Sequence, residues 1–306
     1  MRENNISRRD FIKITGTTAL SMTLPALPIS SAFSAPQKFL IEGVGQTSGY
    51  SVKALVKKVF DAAGGIEKFI AKKDVVGLKP NISWARSPNL AVTTHPEVME
   101  AVASLCFSAG AAKVMFLDHT IHDARRCFAI TGATAAAKNS GATLVHPTSR
   151  HFKDMNLKGS RLTVWPVFVP FKEVDKIINI PVAKVHRLSG LTLGMKNWIG
   201  AVGGRRNALH QDIHTTIVDL AQYFKPDLTL IDATRILVKN GPSGGSEADV
   251  FQANRLILSN DPVAADAKAA TLFDINMDSL AFIKKAEKWG LGTTKLSTLS
   301  NKKVII

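Results

Sequence analysis

Short apolar runs alternate with helical patterns over most of this 306-residue chain, and that alternation restricts the fold more than any other feature. Asp74-Val75-Val76-Gly77-Leu78-Lys79 reads as a strand ending at Pro80. His95-Pro96-Glu97 then opens a helix to about Ala109, with proline in the first turn where its missing N–H does no harm, and Gly110 closes it. Lys113 to Asp118 is a second strand, Ala133 to Asn139 a second helix, and Thr143 to His146 a third strand stopped by Pro147. Strand and helix in this order imply parallel strands joined by right-handed crossovers. Asp175 to Ile180 and Asp227 to Asp232 are further strands, separated by a helix from about Asp212 to Phe224. Arg255 to Ser259 leads into a helix near Asp261-Pro262, and Leu291 to Ile306 reads as a tail or edge strand. The expected fold is α/β, a mostly parallel doubly wound sheet flanked by helices.

Ahead of this pattern, Ser7-Arg8-Arg9-Asp10-Phe11-Ile12-Lys13 precedes an uncharged stretch from Ile14 to Ala35. Paired arginines before a weakly apolar run form a twin-arginine export address. Ser30-Ser31-Ala32 supplies the small residues a signal peptidase reads. A comfortable membrane span needs about 20 predominantly apolar residues, and Gly16, Pro25 and Pro28 interrupt this one. The sequence therefore predicts a signal peptide over residues 1–32, engagement of the twin-arginine machinery, a periplasmic location and no stable membrane span after signal removal. Residues 33–306 are expected to form one α/β domain, with 33–170 and 171–306 as its alternative lobes.

Removing residues 1–32 takes away Arg2, Arg8, Arg9 and Lys13 with Glu3 and Asp10, so the formal charge falls from +15 to +13. An excess of that size favours anionic partners. Export and the lack of a basic ridge interleaved with aromatics argue against nucleic acid, which leaves a small anionic ligand. Cys106 and Cys127 are the only cysteines, too few for a Cys-ligated cubane iron–sulfur cluster. They could pair in an oxidising compartment, although Cys106 sits in an apolar helical pattern that suits a buried thiol.

Ligands of an open parallel sheet bind beyond the carboxyl ends of its strands. Lys79-Pro80-Asn81, Asp118-His119, His146, Lys184 with His186, and Asp232 occupy those positions. Asp118, His119 and His146 taken singly are ordinary loop residues. Lys196 and Asn197 lie in an otherwise apolar run, and a buried lysine requires a counter-ion or a ligand. Arg205 follows Gly203-Gly204. His210 and His214 have the spacing of a helical pair that could chelate a metal, without the intervening glutamate of a metallopeptidase. Gly241, Ser243, Gly244 and Gly245 belong to a glycine loop whose N–H groups could cradle an anion.

In chain order, Leu78-Lys79-Pro80-Asn81, Thr93-Thr94-His95-Pro96-Glu97-Val98, Ile180 to His186, Leu193 to Gly200, Lys225 to Asp232, Gly241 to Gly245 and Asp261 to Asp266 resemble the family called domain of unknown function 362. The resemblance covers roughly Val76 to Ala270. It implies a shared pocket built from Lys79, Asn81, Lys184, His186, Lys196, Asn197, Asp232 and the Gly241 to Gly245 loop. Many members carry an iron–sulfur segment, which implies redox roles for them; this chain lacks the cysteines.

The leading expectation is an exported enzyme, with redox chemistry as one branch, that holds an anionic substrate or cofactor through Lys79, Lys184, Lys196 and Arg205. His186 or His210 would transfer a proton and Asp232 would orient a lysine or histidine. The alternative is a non-catalytic periplasmic binding or accessory protein using the same basic pocket. The cofactor is unassigned, a metal and a flavin both being open.

Overall fold

The computed structural model describes residues 37–46 and 49–306; the signal-peptide reading of residues 1–32 lies outside them. Its strands are β1 (Phe39–Val44), β2 (Val75–Pro80), β3 (Lys113–Phe116), β4 (Thr143–Leu144), β5 (Phe152–Asn156), β6 (Val164–Phe168), β7 (Lys176–Ile180), β8 (Val182–His186), β9 (Gly190–Thr192), β10 (Leu228–Leu237), β11 (Val250–Phe251), β12 (Arg255–Ser259) and β13 (Ser300–Ile305). The α-helices are α1 (Val52–Ala62), α2 (Pro96–Ser108), α3 (Ala124–Ile130), α4 (Ala133–Ser140), α5 (Ile213–Phe224), α6 (Pro262–Ala270) and α7 (Ala281–Lys288).

The central sheet runs β13-β1-β12-β10-β7-β2-β3-β4, and strands from both sides of residue 170 share it. Along that path only β12 runs against its neighbours, β1 and β10. β7 and β10 are buried on both faces because both faces are covered. Alternation assigns the faces: Ile178 and Leu230 join a core with Val56, Val102 and Ala136 of α1, α2 and α4, whereas Ile177 and Ile231 join one with Ile217, Ala267 and Phe282 of α5, α6 and α7. Each fully buried Leu, Ile or Phe contributes about 1.5–3 kcal/mol, so this two-sided burial dominates the fold's stability.

Local chemistry ends the helices where the sequence indicates. His95 caps α2, its Nδ1 accepting the Glu97 N–H at 3.1 Å, with Pro96 in the first turn. Asp261 Oδ1 accepts the N–H groups of Val263 and Ala264 at the start of α6.

Two strand boundaries differ from expectation. The strand predicted through His146 is only Thr143–Leu144. The one predicted to end at Asp232 continues to Leu237, because Arg235 is buried against Asp232 at 3.2 Å and polar residues there no longer mark a loop.

Connectivity decides where the crevice lies. From β2 the chain crosses through α2 to β3 on one side, later returning to place β7 on the other side of β2, then crosses the opposite face through α5 to β10. The direction of winding reverses between β2 and β7, and the carboxyl ends of these strands, Lys79-Pro80 and Asn179-Ile180, are paired in register. A doubly wound sheet opens its ligand crevice at such a point.

Candidate functional site

The floor of the crevice is a network of amides. Asn197 Nδ2 donates to Lys79 O and to Asn179 Oδ1, both at 2.9 Å, while Asn81 Nδ2 donates to Asn197 Oδ1 at 3.2 Å and Asn179 Nδ2 to Gly194 O at 2.8 Å. Asn197 thus ties β2 and β7 to the 3₁₀ turn Met195–Ala201. From the α6 side, the Asp266 carboxylate accepts the Gly194 and Met195 N–H groups at 2.7 and 3.0 Å. The turn is therefore held at both ends of its opening residues, which fixes the direction in which Lys196 leaves the backbone.

Lys79 is buried beneath this network rather than open to the crevice. Its Nζ donates to Asp118 Oδ1 at 2.7 Å and to Pro80 O at 2.8 Å, and Asp118 Oδ2 accepts the Ile82 N–H at 2.6 Å. Burial lowers the lysine's pKa while Asp118 opposes that shift. Lys79 is an internal ion pair, which differs from its expected place among the ligand-binding cations.

Above the floor is a cavity of about 240 Å³ walled by Lys184, Lys196, Arg206, His186, His210 and Trp84, among others, and by no aspartate or glutamate. Lys184 Nζ donates to Val92 O at 2.5 Å. Arg206 is pinned by donating to His119 O at 2.7 Å and Thr120 O at 2.6 Å. Lys196 is only 8% exposed and has no hydrogen-bond or ion-pair partner among the described residues. The Thr192 hydroxyl, in the same wall, is likewise buried and unpartnered.

The resulting field disfavours positive charge. Burial pulls Lys196 down to about 7, and burial together with the Lys196 charge pulls Lys184 to about 7. Burial, then Lys196, lowers His186 to about 3, and the same two causes lower His210. An anion placed among these groups would oppose each shift.

The two imidazoles hold their protons differently, as their hydrogen-bond partners dictate. His186 Nδ1 accepts the backbone N–H groups of Leu188 and Ser189 at 3.2 and 3.4 Å, so the neutral ring carries its proton on Nε2. His210 Nδ1 lies 3.3 Å from Arg206 O and must donate to it, which leaves a lone pair on Nε2. One ring is a donor and the other an acceptor.

Other expected site residues lie elsewhere. Arg205 is exposed and borders an adjoining open depression of about 670 Å³, whereas its neighbour Arg206 reaches the cavity. Asp232 accepts from the Thr234 hydroxyl at 2.6 Å and the His95 N–H at 2.7 Å and pairs with Arg235, so it orients an arginine and not a lysine or an imidazole. The glycine loop contributes Pro242 to the wall. Gly241 packs so closely that an added Cβ would meet Val185 O at 2.0 Å. The Gly244 N–H donates within the turn to Asn240 O at 3.1 Å, and Ser243 offers its carbonyl to Arg86 Nε at 3.3 Å; Gly245 fronts open space.

His210 and His214 do not share a helix. His210 ends the 3₁₀ turn Arg206–His210 and stacks on His186, whereas His214 belongs to α5 and stacks on Phe282, so the expected chelating pair is divided. Among the described residues no three His, Cys, Asp or Glu side chains converge as a metal site. Cys106 and Cys127 are buried free thiols, and burial pushes them up to about 12 and about 11.

Sequence reasoning missed Arg206, Thr192 and Trp84 as wall residues. Arg206 stood beside Arg205 in the same Gly-Gly-Arg-Arg string, and only the 3₁₀ turn starting there decides which arginine faces inward.

The chain belongs to the family described as domain of unknown function (DUF362), whose pattern matches residues 76–271. It is 25% identical over 259 residues to the thylakoid-associated protein sll1697 of Synechocystis sp., a match covering 80% of this chain and 77% of that one. Among solved structures it is similar to the lactate racemase apoprotein from Thermoanaerobacterium thermosaccharolyticum, with a TM-score of 0.45 and 14% identity over 78% of this chain. The match spans 58% of that longer protein. No helix among the described residues is long and apolar enough to cross a membrane.

Proposed function

We propose that this protein is an exported enzyme that binds a small anionic substrate in the Lys184–Lys196–Arg206 cavity and moves a proton on it. One observation carries the reading: Lys196, only 8% exposed, has no hydrogen-bond or ion-pair partner among the described residues and lines a cavity whose wall contains no carboxylate. Buried polar groups are normally satisfied, and orphaned ones call for a ligand or solvent partner. A volume of about 240 Å³ suits a small acid better than a dinucleotide.

In this scheme Lys184, Lys196 and Arg206 neutralise the substrate's charge. His186 Nε2–H donates a hydrogen bond to a substrate oxygen, and the free lone pair of His210 Nε2 accepts the proton. Lys79 and Asp118 act through the floor, holding the strand ends, and Arg205 adds positive potential at the mouth. A redox step would require a diffusible anionic cofactor small enough for the same cations. Calorimetric titration with sulfate tests the binding half: the parent should bind saturably, and Lys196→Met, with an unchanged melting curve, should not. Equal binding by both proteins would refute it.

Export through the twin-arginine route rests on Arg8-Arg9 and the run that follows. The thylakoid association stated for the Synechocystis relative fits a protein that works outside the cytosol. Cell fractionation of an Arg8→Lys/Arg9→Lys variant should show the protein held in the cytoplasm; unaltered fractionation would remove this part of the proposal.

A further inference from the structure

Lysines that bind anions and lysines that form covalent bonds differ in how the amine is held. Lys184 Nζ is committed to Val92 O, and Arg206 is committed to two carbonyls. Lys196 Nζ has no such acceptor, and the turn that bears it is locked from below by Asp266 and Asn197. The unpartnered Thr192 hydroxyl lies in the same wall, on the strand residue paired with Lys184. The cavity therefore presents a lysine and an arginine committed to backbone carbonyls, one amine without a partner and one proton-accepting imidazole.

We infer that Lys196 is a covalent nucleophile, forming an imine with a small 2-oxo acid whose carboxylate is held by Lys184 and Arg206. The inference deepens the proposed function and rests on the anion-binding reading of the same cavity. In the reaction the neutral amine's lone pair attacks the ketone carbon, forming the C–N bond. His210 Nε2 takes one proton from the resulting ammonium nitrogen and passes it to the alkoxide oxygen, giving a neutral carbinolamine. The C–O bond then breaks as the nitrogen's second proton, relayed again by His210 Nε2, reaches the departing hydroxyl, so that water leaves and a neutral imine remains; nothing is oxidised or reduced.

Chemistry and size agree on this ligand class. A carbonyl is the electrophile that a lysine amine captures reversibly, and desolvation beside another cation is how such lysines are activated. A pKa drawn down to about 7 leaves a large fraction of Lys196 as the nucleophilic free amine at neutral pH. At about 30 Å³ per water the cavity holds about eight water-sized groups, enough for a three- or four-carbon acid.

The test is reductive trapping of the full-length exported protein with pyruvate and cyanoborohydride, followed by peptide mapping. The expected result is a fixed adduct on Lys196 in large excess over every other lysine, absent in Lys196→Arg and suppressed by excess sulfate. Mapping on the parent stands whether or not the variant folds. Adducts spread evenly over surface lysines, or none on Lys196, overturn the inference. Sulfate binding in the parent without an adduct refutes only the covalent step; absence of both refutes the anion-binding reading too.

Discussion

The rings of His186 and His210 lie nearly parallel, 10° between planes and 6.0 Å between centroids, with their Nδ1 atoms committed in opposite senses. Leu188 and Ser189 donate to the first, whereas the second donates to Arg206 O. Proton transfer and substrate binding should therefore separate on mutation. His210→Gln is expected to lower turnover by about 100-fold or more with substrate affinity changed only a few-fold, once a substrate is in hand. His186→Gln should act mainly on affinity. Steady-state kinetics of the two variants check this, and indistinguishable profiles would contradict it.

Anion binding should weaken as pH rises. Sulfate keeps its charge across the range, so its titration reports the protein. Lys184 and Lys196 are drawn to about 7, so they are cationic below that pH and lose their protons above it. Affinity should be greatest below pH 7 and fall by up to about tenfold per pH unit per lysine above it. Stability of the ligand-free protein has the opposite slope. Between about 7 and the ordinary lysine value of 10.5 the unfolded chain binds more protons than the folded one, so stability rises with pH over that window and is lost as pH falls through 7. Calorimetry and urea melts across pH 6 to 10, about the usable range, give both slopes.

Lys79 and Asp118 are both 0% exposed, so removing one partner strands the other's charge. Asp118→Ala should destabilise the fold by about 3–5 kcal/mol. Lys79→Met/Asp118→Asn removes the buried charge and keeps an acceptor for the Ile82 N–H, so it should lose much less. Urea denaturation of the single and double variants is the check.

Asp266→Ala leaves the Gly194 and Met195 N–H groups without their acceptors. Each unpaired buried group costs about 1–3 kcal/mol, and the turn carrying Lys196 loses its anchor. The expected outcome is a lower urea midpoint together with weaker sulfate binding. A drop in stability with unchanged binding would show that Asp266 does not position Lys196.

The layered sheet was legible because β2, β3, β7 and β12 are short apolar runs ended by Pro, Gly or Asp, and α2 and α6 begin at Pro preceded by a capping side chain. Lys184, His186, Lys196, Asn197 and His210 were legible for a related reason, as polar groups in or beside apolar segments at strand ends. What stayed hidden depends on partners far away in the chain. The Asp118 that engages Lys79 is 39 residues on, and the Asp232–Arg235 pair that extends β10 is satisfied by Thr93 O and Pro88 O. The division of His210 from His214 came from a 3₁₀ turn giving way to α5, a break that residue spacing does not reveal.

A small anion is expected in the cavity beyond the carboxyl ends of β2 and β7. A crystal structure of the protein grown with oxalate, a small dianion, tests it most directly. The expected result is an anion within hydrogen-bond reach of Lys196 Nζ and the Arg206 guanidinium. Oxalate bound only on the outer surface, with the cavity holding water alone, would contradict it.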